Sequence, residues 1–155
     1  MNEVTSNSKM QLSEHFALGE FTKSNHPEVY NIPSHVAIEN MKRICGWLEV
    51  LRDRYNKRYG GNTPIIINSG YRSSQLNKKV GGVSTSNHLT GCAVDIRYYG
   101  IEQAIRYATI LMDYADESKE AFDELFIEKN KYGRYWVHFA VRPKENRRKI
   151  GFLNG

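Results

Sequence analysis

Apolar residues recur at intervals of three and four between Ile38 and Tyr55, at Ile38, Met41, Ile44, Cys45, Leu48, Leu51 and Tyr55. This spacing gathers them into one stripe of an α-helix, predicted over residues 35–58. Pro33-Ser34 marks its start, with Ser34 as the cap, and Gly60-Gly61 lies beyond its end. A second stripe, Ile101, Ala104, Ile105, Ala108, Leu111, Met112 and Ala115, predicts a helix over 102–114, followed by a charged linker at 116–120. Residues 74–80 read as a short helix. Brief apolar or alternating runs at 64–68, 93–97, 124–128 and 135–141 read as strands, the last two joined by a hairpin loop at 129–134. Residues 1–11 are polar and read as disordered, and an ordered lead-in begins at Leu12. Helices and strands are grouped rather than alternating. The expected class is therefore α+β, a small, mainly antiparallel sheet packed with helices.

Period-two alternation sorts the strand residues by face. Cys92, Val94 and Ile96 form a core face, which puts Ala93 and Asp95 on the other. A carboxylate beside a residue as small as alanine leaves room for an ion. His88 stands seven residues before Asp95, and Gly91 lets the backbone turn between them. Imidazole and carboxylate are both good zinc ligands, and His138 is the candidate third. It shares a face with Trp136 and Ala140, opposite Val137, Phe139 and Val141. On the preceding strand Glu128 shares a face with Phe126, and the hairpin sets Glu128 on the strand next to His138. His15, His26 and His35 have no metal-like partner spacing and read as surface or capping residues.

The pieces Ser69-Gly70-Tyr71-Arg72-Ser73, Val80-Gly81-Gly82, Ser86-x-His88-x-x-Gly91-x-Ala93-x-Asp95 and Trp136-x-His138 together resemble the zinc D-Ala-D-Ala carboxypeptidases. These share a superfamily with the L-Ala-D-Glu endolysin peptidases and the hedgehog signalling domain. The resemblance extends over about residues 12–142, and it implies the hedgehog/DD-peptidase fold. It also implies one Zn2+ held by His88, Asp95 and His138, and hydrolysis of a peptide bond in peptidoglycan stem peptides by a water on that zinc. Arg72 and Ser86 would bind a substrate carboxylate, for which arginine offers a planar fork. The plainer reading of Arg72 is a structural salt bridge. The family places an acidic general base shortly before its last histidine, where this chain has Tyr135 and Trp136. Glu128 is the acid best placed to substitute, with Glu124 in reserve; the plainer reading of Glu128 is an edge-strand surface charge. The alternative to an enzyme is a non-catalytic, zinc-stabilised binding module of the hedgehog type.

Composition adjusts this picture at the edges. A chain of 155 residues suits one domain, expected to act as a monomer. The expected division is a segment at 1–11, a peptidase domain at 12–142 and a basic tail at 143–155. The net charge of +5 suits a polyanion, whether nucleic acid, an anionic membrane or the acidic polymers of a cell wall. Nucleic acid is not an expected partner, because basic and aromatic residues are not interleaved in a recognition motif. The basic run Arg142, Lys144, Arg147, Arg148 and Lys149 reads as solvated and partly frayed. Cys45 and Cys92 read as two core thiols rather than a disulfide. No stretch reaches membrane-spanning length, and no apolar signal region precedes Met10. Synthesis in the cytosol, with release to the wall by another agent, fits a phage or prophage endolysin.

Overall fold

The computed structural model describes residues 7–154 of the chain. Of the segment expected to be disordered, residues 1–6 lie outside the described residues. Residues 7–11 are tied to the body: the Leu18 N–H donates to the Met10 carbonyl and the Gly19 N–H to the Ser8 carbonyl.

Two helices carry the core. The first long one, α2 (His35–Tyr59), follows a short α1 (Leu18–Thr22) and is capped by Ser34, whose hydroxyl accepts from the Ala37 N–H. Its predicted stripe is buried from Ile38 to Tyr55. After α3 (Ser74–Lys79) comes α4 (Ile101–Ser118), one turn longer than its apolar spacing predicted. Buried Ala115 anchors that extra turn, and no helix breaker intervenes before Lys119, which ends the helix with φ +61°. Tyr55 and Tyr107 pack edge to face between α2 and α4, with ring centroids 5.0 Å apart.

Five strands form one sheet in the order β1 (Ile67–Ser69), β2 (Ala93–Ile96), β4 (Tyr135–Ala140), β3 (Glu124–Lys129) and β5 (Lys149–Asn154). Strand β1 is shorter than expected. Pro64 has no N–H to donate to a ladder, and only Ile67 and Ser69 pair with β2, across an irregular register. Val94, Ile96, Leu125, Val137 and Phe139 are buried on one face of the sheet. Trp47 of α2 meets Phe139 there, 5.4 Å between ring centroids. The opposite face carries Asp95, His138, Glu124 and Glu128. Cys45 and Cys92 are free and buried; burial pushes the Cys45 thiol up to about 12 and raises that of Cys92 too. Both behave as core hydrophobes.

The sheet corrects two expectations. Its pairs β1–β2, β2–β4 and β4–β3 are antiparallel, but β3–β5 is parallel, so the sheet is mixed. The second correction is to the basic segment read as a frayed tail, which contains β5. That strand was hidden because it is an exposed edge with a central glycine, so neither its burial nor its alternation is strong. It is tied down at its start: the Arg148 and Lys149 N–H groups donate to the carbonyls of Phe122 and Asp123.

The strongest tie is a clamp on Asp123, which has no solvent-exposed surface. The Arg147 guanidinium forks onto its carboxylate at 2.8 and 2.7 Å, the Arg147 N–H adds a bond of 3.0 Å, and the Asn87 amide donates at 2.8 Å. Burial disfavours the Asp123 charge, yet these donors outweigh it and lower its pKa from 3.8 to about 2. A carboxylate depressed in the fold stabilises it fully above its unfolded pKa and loses that contribution as pH falls toward the folded value. Asp123→Asn should therefore be less stable than the wild type at neutral pH, by on the order of 2 kcal/mol. Thermal melts in acid should show that difference closing between pH 3.8 and about 2. A difference that stayed constant across this window would remove the clamp from the account of stability.

Candidate metal centre

Register builds the site. Asp95 on β2 lies opposite His138 on β4, and His138 lies opposite Phe126 on β3. Ser69 pairs with Asp95 on one side, and Gly151 with Phe126 on the other. One row of the polar face thus runs Ser69, Asp95, His138, Phe126, Gly151. The next row holds Ala93 and Ala140, which keep bulk away from the carboxylate and the imidazole, together with Glu124. The row on the other side holds Trp136 and Glu128.

His88 arrives from outside the sheet, on a 3-10 turn (Asn87–Thr90). Ser86 caps that turn, its hydroxyl accepting the His88 N–H at 3.1 Å. Gly91 ends it with φ +75°, and a side chain there would run into the Ala37 carbonyl of α2. Gly70 approaches the Phe21 backbone too closely for any side chain, and its carbonyl accepts from His88 Nδ1–H at 2.6 Å.

The three sequence-selected groups converge. His88 Nε2 lies 3.3 Å and His138 Nδ1 3.1 Å from the same Asp95 oxygen. One donor atom from each residue falls within 4.8 Å of the others, and all three residues are buried. The far nitrogen of each ring is already engaged, His88 Nδ1 with Gly70 and His138 Nε2 with Glu124 at 2.9 Å. Each imidazole therefore has one nitrogen left to turn to the cluster. Two imidazole nitrogens and a carboxylate, with their outer nitrogens bonded to oxygen, are a donor set that suits zinc.

The electrostatics favour a cation there. Burial opposes the Asp95 charge, but His88 and His138 outweigh it and hold the carboxyl well below its ordinary range. Burial also opposes a charged His138, yet its bonds to Asp95 and Glu124 raise its pKa above the usual histidine value. In effect a proton on His138 supplies positive charge that a metal ion could supply instead.

Around the cluster, Arg72 is largely buried, with Nη2 3.7 Å from Asp95; its other nitrogens reach Ser69 at 3.4 Å and Asn77 at 3.2 Å. It also faces the charge of Glu128. Glu128 is partly buried on the polar face. Burial raises its carboxyl above the ordinary range, against the pull of His138. The Trp136 indole lies beside it without a hydrogen bond of normal geometry. Ser86 lines a groove with Asn40, Thr90 and Arg142, and the turn it caps is tied to the Arg72 segment, the Arg72 N–H donating to the His88 carbonyl at 3.0 Å. Glu124, the reserve acid, bonds His138 directly. Asn87, which the sequence did not single out, donates to both Glu124 and Asp123 at 2.8 Å. Alternation places Glu124 and Glu128 on one face, but it does not say which of them bonds the histidine.

A family model described as Peptidase M15 matches residues 14–133. The matched stretch contains His88 and Asp95; His138 lies beyond it and rests on the register just described. Comparison with curated proteins gives no match.

Proposed function

Because the chain belongs to the peptidase M15 family, we propose that it is a zinc-dependent peptidase that cleaves peptide bonds in the stem peptides of peptidoglycan. It would act as a D-Ala-D-Ala carboxypeptidase or an endolysin-type endopeptidase. The observation that carries this reading is the meeting of His88 Nε2 and His138 Nδ1 on one Asp95 oxygen, with Arg72 beside it.

His88, Asp95 and His138 would hold the ion. Bound zinc supplies a Lewis acid that brings the pKa of water toward neutrality and polarises a peptide carbonyl. Glu128, its pKa raised by burial, takes the proton of the attacking water and returns it to the leaving amine. Arg72 presents its fork to a substrate carboxylate; the guanidinium stays charged even though burial lowers its pKa. The Ser86 hydroxyl accepts from a backbone N–H, so its own hydrogen is left to donate to that carboxylate. Among the described residues no helix is long and apolar enough to cross a membrane.

Purified peptidoglycan incubated with the zinc-loaded protein and analysed by mass spectrometry should release stem-peptide fragments. Loss of a terminal alanine marks a carboxypeptidase, and an internal cut marks an endopeptidase. Zinc binding with no cleavage of any stem peptide would replace this reading with the non-catalytic binding module.

A further inference from the structure

Glu124 is paired differently from Glu128, although both sit two residues from the row of His138. One Glu124 oxygen accepts from His138 Nε2 at 2.9 Å and from Asn87 Nδ2 at 2.8 Å. The Asn87 amide is fixed in turn: its Oδ1 accepts from Arg142 Nε at 3.0 Å, and its Nδ2 also donates to Asp123 at 2.8 Å. Asp123 is clamped by Arg147. Phe126 lies flat against the His138 ring, 5.7 Å between centroids and 13° between planes. The ring is thus held on its face by Phe126 and at its outer nitrogen by Glu124.

An imidazole can turn about its bond to Cβ, and its neutral form can carry the proton on either nitrogen. A ligand histidine must have the right nitrogen bare and correctly aimed. Without metal both ring nitrogens face carboxylates, Nδ1 toward Asp95 and Nε2 toward Glu124. When a metal takes the place of the Nδ1 proton, the bond to Glu124 keeps the remaining proton on Nε2 and so leaves Nδ1 bare toward the ion.

We propose that Glu124 is a positioning residue, which sets the tautomer and aim of His138 for metal binding and is itself held by Asn87 and the Asp123–Arg147 clamp. Glu124 does not act on substrate. This inference rests on the zinc-site reading above. The important property of Glu124 is its ability to accept a hydrogen bond, which a glutamine oxygen shares.

The test is zinc affinity, measured by competition with a chromogenic chelator, alongside melting temperatures of the metal-free proteins. Glu124→Ala should weaken zinc binding by about tenfold to a hundredfold, the scale of losses from removing such outer partners. Glu124→Gln should recover most of that loss. If Glu124→Ala does not fold, Glu124→Asp replaces it. Its carboxylate is one methylene too short to reach Nε2, and affinity should fall similarly. Affinity within twofold of wild type for Glu124→Ala, or for Glu124→Asp in its place, overturns the proposal. Equal losses in the glutamine variant and the shortened one also overturn it, since charge rather than hydrogen-bond acceptance would then matter. A wild type that binds no zinc defeats the metal-centre reading itself. Zinc bound equally by wild type and Glu124→Ala defeats only the role given to Glu124.

Discussion

Substituting alanine for His138 should abolish stoichiometric zinc binding and, with it, measurable cleavage. The wild type should carry one zinc per chain, and His88→Ala and Asp95→Ala should behave as His138→Ala does. Zinc bound only by the folded state stabilises it by about 3–4 kcal/mol when its concentration is a hundred to a thousand times the dissociation constant. For a domain of this size that amounts to roughly 6–15 °C in melting temperature. Excess chelator should therefore lower the wild-type melting temperature by that amount and leave the three variants unchanged. The comparison with chelator is needed because the imidazole also bonds Asp95 and Glu124 in the metal-free protein, so the substitution weakens the fold directly. Full zinc content in all three variants would move the metal site elsewhere.

The second large effect is expected at Glu128. Glutamine has almost the same shape but cannot accept a proton near neutral pH. Glu128→Gln should keep the fold, the zinc and most of the substrate affinity. Its turnover should fall about a hundredfold or more, the scale of a positioned general base. Burial holds the Glu128 carboxyl above its ordinary range. The rate of the wild type should accordingly decline as pH falls through that raised value, because the base becomes protonated. The glutamine variant should lack this acid limb. Glu124→Gln, in contrast, should keep near-normal turnover at saturating zinc. Near-normal turnover in Glu128→Gln would take the base role from this residue.

The two glutamates show where reading the sequence stops. Alternation puts Glu124, Phe126 and Glu128 on one face, and the hairpin brings that face beside His138. The register then sets Phe126 opposite His138, with the two acids equally displaced to either side. Side-chain reach and the position of Asn87 decide which acid bonds the imidazole, and neither is written in the spacing. His88 and Asp95 were more accessible, since a turn ending at a glycine and leading into a buried strand fixes both locally. His138 followed from its strand face and from resemblance. The helices are legible because their apolar stripes are long. Strand β5 leaves no such pattern, because five of its six residues are exposed; its position comes from the edge of β3 and the Asp123 clamp.

The sheet is unequal in the range of the contacts that close it. Strands β3 and β4 are joined by a short loop and pair locally, whereas β5 returns to the far edge of β3 in parallel register and is tied in at Arg147. Closing that longer loop costs more chain entropy than closing the hairpin. An opening confined to β5 removes the principal counter-charge of Asp123 and, with it, the support that reaches Glu124 through Asn87. His138 then keeps its place in the register while losing the partner that aims it. The aim of a buried imidazole thus depends on the most exposed strand of the sheet.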